Sequence, residues 1–197
     1  MPVVDGRQYR SIEMSNFETR DDYIVEGYAT TFGEPYEMGA GYFEVIDPHA
    51  LDGADTSDVI FQYDHAGLVM ARTKNGSLAV MPDSHGYHVR ASLGGTRAGR
   101  ELYEAISNGL VDKMSWAFKV AEDGWEYDRD SRTSTVKRVD KVYDVSAVSV
   151  PANGGTEISA RSYLDGVIEA ERRESSLRQS EQDERMRLAL LLSLERG

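Results

Sequence analysis

The sequence predicts an α+β chain: a strand-rich domain, barrel or sandwich, with at least one packed helix, followed by a helical C-terminal extension. Three observations carry this. Short apolar runs rich in β-branched and aromatic residues, each bounded by Gly, Asp, Asn or Pro, recur through residues 1–160. One segment among them repeats its apolar residues at helical spacing instead. Beyond residue 160 the composition changes, because all five prolines lie before it while Glu, Arg, Gln, Ser and Leu dominate after it.

Taken in chain order, the strand candidates are residues 23–31, 42–46, 59–63, 77–81, 87–93, 115–120 and 142–150. Between the fifth and sixth, Thr96 can cap a helix in which Ala98, Leu102, Ala105 and Ile106 share a face, and Asn108-Gly109 ends it. In the run Met114 to Val120, the period of two places Met114, Trp116, Phe118 and Val120 on one face and Ser115, Ala117 and Lys119 on the other. Ser115 therefore looks away from the large apolar side chains. In the last strand Asp144 shares a face with Val142, Ser146 and Val148, where a carboxylate needs a partner.

The extension, residues 161–197, carries a small stripe of Leu164, Val167 and Ile168, then mixed charge to Arg187, then an all-round apolar run from Leu188 to Leu192. Such a run is too hydrophobic for a solvated helix. It is expected either to meet a partner surface, namely the domain itself, a second copy, by self-association, or another protein, or to be a frayed tail with a sticky end.

Charge and cysteine usage exclude several chemistries. The 197 residues hold 34 acidic and 22 basic side chains, a net charge of −12, and nearly all of the excess falls in residues 1–160. That balance argues against nucleic-acid binding, which normally needs a basic face. The longest greasy stretch, Leu188 to Leu194, is far short of the ~18 residues that span a bilayer, and the N-terminus shows no signal-peptide pattern. A soluble intracellular protein with no membrane partner is expected. With no cysteine, disulfide scaffolds, thiolate zinc sites and cysteine nucleophiles are excluded.

Four histidines remain as candidates for proton transfer: His49, His65, His85 and His88. His65 directly follows an apolar strand, which delivers its side chain to the rim of a sheet, whereas His49 lies in the turn signature Asp47-Pro48-His49. His85 and His88 invite a metal reading, but they flank a turn entering a strand, where odd spacing sends the rings to opposite sides. No HExxH, GxSxG or Gly-Asp-Ser-Gly occurs. A serine nucleophile would need a base and a group to orient it, and His65, Ser115 and Asp144 stand in an order that triads permit. Spacing alone does not single them out.

Several stretches in consistent order, over about residues 10–160, resemble the prohead maturation protease family of tailed phages. They are Gly27-Tyr28-Ala29-Thr30-Thr31-Phe32-Gly33, Tyr42-Phe43-Glu44-Val45-Ile46-Asp47-Pro48-His49-Ala50-Leu51, the His65 segment, and Asn108-Gly109-Leu110. Lys113-Met114-Ser115-Trp116-Ala117-Phe118 and the run from Tyr143 to Asn153 complete the set. The resemblance implies a serine protease domain over residues 1–160, with a fold similar to the herpesvirus assembly protease, a β-barrel wrapped by helices. It also implies a cofactor-free endopeptidase that cuts scaffold or capsid-protein segments, and often itself, inside assembling procapsids in the host cytoplasm. His65 matches the family histidine, Ser115 the family serine, and Asp144 falls where an acidic residue precedes Val-Ser. Two departures stand out: Asp64 and Ala66 replace the usual Asn-His-Asp setting, and Trp116 replaces a smaller residue, with the substrate cleft or the oxyanion donors beside Ser115 as the places it would act. A non-catalytic capsid-assembly protein and a metal-dependent hydrolase using His85 and His88 are the rival classes.

Overall fold

The computed structural model describes residues 6–13, 18–20, 22–39, 41–149, 166, 168–170, 172–182 and 184–186. Its strands begin with β1 (Gln8–Glu13), β2 (Glu18–Arg20), β3 (Ile24–Thr31), β4 (Tyr36–Gly39) and β5 (Tyr42–Ile46). Next come β6 (Ile60–Tyr63), β7 (Ala66–Arg72), β8 (Leu78–Pro82) and β9 (Gly86–Ser92). After the helix α1 (Arg97–Ser107) follow β10 (Lys113–Val120), β11 (Trp125–Asp128), β12 (Thr133–Val136) and β13 (Val139–Val148). All seven strands expected from the sequence are present to within a few residues. Six others are not announced: β1, β2, β4, β11 and β12 carry no apolar run long enough, and β7 is an apolar run without strand alternation.

The strands form three sheets: β1-β10-β13-β6-β7, β11-β12-β5-β4 and β2-β3-β9-β8. Pairing is antiparallel except between β13 and β6 and between β12 and β5. The architecture is thus mixed α+β and strand-rich, and none of the three sheets closes on itself. The closed barrel implied by the resemblance is not formed among the described residues. Closure requires the edge strands to find ladder partners, yet among the described residues β1 pairs only with β10 and β7 only with β6. Side chains, rather than ladder bonds, tie β1 to the neighbouring sheet: Arg10 forms a two-pronged buried ion pair with Glu44 on β5.

One face of β10 builds the core. Met114, Trp116, Phe118 and Val120 all join it, with Trp116 stacked on Phe118 at 3.8 Å and tilted against Tyr87 of β9 at 5.8 Å. A bulge refines the expected faces of β13. Ala117 stands opposite Asp144 but Phe118 opposite Val142, so Tyr143 is the extra residue and Val142 turns into the core instead of sharing the face of Asp144.

The helix forms as its pattern dictates. The Thr96 hydroxyl oxygen accepts from the Gly99 N–H at 2.9 Å, and Leu102 and Ile106 are buried. Gly99 is required here, because a Cβ would come within 2.2 Å of the Leu93 carbonyl oxygen. Gly109, at φ +68°, takes the left-handed conformation just past the C-cap Asn108.

The described residues between 166 and 186 are helical. Ile168 packs with Trp125 and Tyr127 on Tyr42, and Arg129 pairs with Glu174, so this helix docks on the domain. The run Leu188 to Leu194, the segment Pro151-Ala152-Asn153 and the expected boundary after residue 160 lie outside the described residues. No helix among the described residues is long and apolar enough to cross a membrane.

Candidate active site

The face of β10 turned away from the core is polar. Ser11 of β1, Ser115 of β10, Ser146 of β13 and Gln62 of β6 stand in one cross-strand row, with Ala117 and Asp144 paired in the next. Side chains two residues apart on neighbouring strands share a face. This is why Ser115 and Asp144, 29 positions apart in sequence, are close in space.

His65 reaches this face from a two-residue hairpin turn. Tyr63 pairs with Ala66 across it, and the central residues Asp64 and His65 have φ of 48° and 54°, as a type I′ turn requires. Left-handed backbone costs a non-glycine residue ~1–2 kcal/mol. Two anchors hold it: the Asp64 N–H donates to the Ala147 carbonyl at 3.0 Å, and the Asp64 carboxylate accepts from the Ser149 N–H at 3.0 Å and its hydroxyl at 3.1 Å.

The three side chains then form one relay. His65 Nε2 lies 2.6 Å from Ser115 Oγ, and His65 Nδ1 lies 2.5 Å from Asp144 Oδ1. With Nδ1–H donating to the carboxylate, Nε2 is left as the acceptor for the serine hydroxyl. Asp144 Oδ1 also accepts from the Ser146 hydroxyl at 3.0 Å, and the Arg7 guanidinium lies 4.0 Å from Oδ2. The Tyr9 ring meets the His65 ring edge-on at 4.7 Å. Ser115 is 0% exposed and the His65 side chain 11%. Burial of this kind strengthens the electrostatic coupling within the relay.

The family model of the Caudovirus prohead serine protease matches residues 10–167. The chain belongs to that family. It is also 30% identical over 148 residues to the prohead protease of Enterobacteria phage HK97, a match that covers 73% of this chain and 62% of that relative's length. No solved structure matches it significantly.

Against that family background, both sequence departures acquire a position. Asp64 supplies the carboxylate that pins the histidine turn to Ser149. Trp116 does not line a cleft: it is 0% exposed and belongs to the core face, opposite to Ser115. The main-chain groups of Ser115 and Trp116 lie within the ladders to β1 and β13. Amides engaged in an intact ladder are not free to bind an oxyanion, so the donors expected beside Ser115 are already committed.

The other histidines stand apart. His49 is exposed in its turn, with its N–H donating to Asp47 and its Nδ1 3.0 Å from Asp52. His85 and His88 do not point to opposite sides; both rings pack edge-on against Tyr28, at 4.6 and 5.2 Å. Strand alternation begins only at Gly86, after His85. Tyr28 donates to Asp83 at 2.8 Å, a bond that raises its pKa, and His88 Nε2 lies 3.3 Å from Glu26. Among the described residues, no three His, Asp or Glu side chains are grouped to hold a metal ion.

Sequence reasoning missed the supporting groups Ser146, Tyr9, Arg7 and the anchoring role of Asp64. For Ser146 the signal was present, in its shared face with Asp144. An Asp-His pair in a two-residue hairpin was the corresponding signal for the turn.

Proposed function

We propose that this chain is a serine endopeptidase that cleaves the major capsid protein or its scaffold segment, and itself, within assembling procapsids in the host cytoplasm. The observation that carries the reading is the Asp144–His65–Ser115 relay, supported by family membership. Ser115 Oγ attacks the peptide carbonyl while His65 Nε2 takes its proton, and Asp144 stabilises the imidazolium through Nδ1–H. His65 then protonates the leaving amine. Water, activated by His65, releases the acyl group and regenerates Ser115.

In this reading residues 1–160 are the catalytic domain, with a fold related to the herpesvirus assembly protease. Residues 161–197 are an extension that tethers the enzyme to capsid or scaffold protein, or associates with a second copy. Deletion of residues 162–197 is expected to abolish incorporation into assembling shells, and full incorporation would overturn the tether.

Co-expression with the cognate capsid protein, followed by mass spectrometry of the products, tests the activity. Cleavage by the wild type is expected to vanish in Ser115→Ala and His65→Ala, both of which should stay folded by circular dichroism. Cleavage that survives Ser115→Ala would overturn the serine mechanism, and its loss to chelator would favour a metal-dependent hydrolase at His85 and His88. Capsid-protein binding without any cleavage by the wild type would favour an assembly protein instead.

A further inference from the structure

The strand that leaves the His65 turn does not pair regularly. Phe61 stands opposite Ala71 and Tyr63 opposite Ala66, so the six residues from Ala66 to Ala71 face only three on β6. The surplus is taken up by Gly67, Leu68, Val69 and Met70, which have no ladder partner among the described residues. Because β7 is the edge of its sheet, the arch has no strand on its outer side among the described residues either.

Both feet of this arch are fixed. At one, Gly67 adopts φ +74° and its carbonyl accepts from the Gln62 side-chain amide at 3.2 Å. At the other, Ala71 is buried and Arg72 makes a two-pronged pair with Asp58 at 2.6 and 2.7 Å. Between them Leu68 is 69% exposed and Val69 41%. In a regular strand, neighbours point to opposite faces and one of the two would be covered. Here they are the only adjacent pair among the large exposed hydrophobics of the described residues.

Leaving two apolar side chains in water on an anchored segment is unfavourable unless something covers them. At a strand rise of about 3.3 Å per residue, Leu68 lies within about 10 Å along the chain of His65. We propose that the arch Gly67–Met70 is a substrate subsite, in which Leu68 and Val69 bind an apolar side chain of an extended peptide while the unladdered main chain pairs with the peptide backbone. The inference rests on the endopeptidase reading above. It assigns specificity to a segment next to the histidine, in a chain whose core-facing Trp116 is unavailable for that role.

The test uses the full chain and a library of internally quenched peptides in which each position in turn is fixed as Leu, Phe, Ser, Asp or Lys. At one position near the scissile bond, the wild type is expected to prefer Leu or Phe over Asp by about tenfold or more, the range one apolar pocket supplies. Leu68→Asp should shift that same position toward Lys, and Leu68→Lys toward Asp. A gain of the opposite charge preference cannot arise from misfolding. If Leu68→Asp, Leu68→Lys and Val69→Asp all keep the wild-type profile, the subsite is wrong. It is equally wrong if these variants change only the sedimentation coefficient, since the arch would then be a contact between copies. Peptide cleavage that is absent in the wild type, or unaffected by Ser115→Ala, would instead overturn the endopeptidase reading and the subsite with it.

Discussion

Asp144 is the residue on which most of the site's hydrogen bonds converge. One carboxylate oxygen accepts from both His65 and Ser146, inside a face where Ser115 and Ser146 are 0% exposed. Removing the Ser146 hydroxyl deletes a hydrogen bond to a charged group, worth about 1.5–3 kcal/mol. If that bond steadies the carboxylate for catalysis, Ser146→Ala lowers kcat by roughly ten- to a hundredfold and leaves KM near its wild-type value. Asp144→Asn keeps the shape but offers His65 an amide, favouring the wrong tautomer; kcat is expected to fall about 10⁴-fold, as it does when the aspartate of a comparable triad is so changed. Steady-state kinetics on a cleaved peptide would check both. Ser115 and Asp144 could be read from strand periodicity plus a family pattern. The convergence on one oxygen could not, because it depends on the register between β10 and β13.

At the scale of elements, the β6–β7 hairpin decides where the histidine points. Its two central residues are both left-handed, and the Asp64 carboxylate ties them to Ser149 beyond the end of β13. Asp64→Ala removes that tie and also places a poorer left-handed residue in the turn. It should lower both thermal stability and kcat, whereas Asp64→Asn, which tolerates the same backbone and keeps an acceptor oxygen, should recover most of each. Equal losses in the two variants would mean that charge, not turn geometry, is what matters. The helix α1 was legible from Thr96 to Gly109 because its cap, apolar spacing and terminator are all local. The hairpin's second strand was not, since Ala66–Arg72 follows no alternating pattern and its arch is set by pairing with β6.

At the scale of the molecule, buried side chains join the three sheets formed by the described residues. The Arg10–Glu44 pair joins β1 to β5 with both side chains nearly out of solvent, at 6% and 4% exposure. Breaking such a pair from one side leaves a buried charge and typically costs about 3–5 kcal/mol. Arg10→Met is therefore expected to lower the urea midpoint strongly, and Arg10→Met/Glu44→Leu to recover most of that loss. Failure of the double variant to recover would show that packing of the guanidinium over Phe118 contributes more than its charge. Because β1 also carries Tyr9 against His65, the pair secures one wall of the candidate site as well as the fold.

The α+β class, the seven apolar strands, the capped helix and the exclusion of a thiol nucleophile were all legible in the sequence. These follow from local spacing and composition, which the chain carries wherever it folds. Only the tertiary structure decided that the sheets stay open, that Val142 leaves the face of Asp144, that Trp116 serves the core, and that His85 and His88 share Tyr28. Each of these depends on register, bulges or contacts between segments far apart in sequence. A period of two fixes which residues share a strand face, but not which strand lies opposite or where one extra residue reverses the alternation.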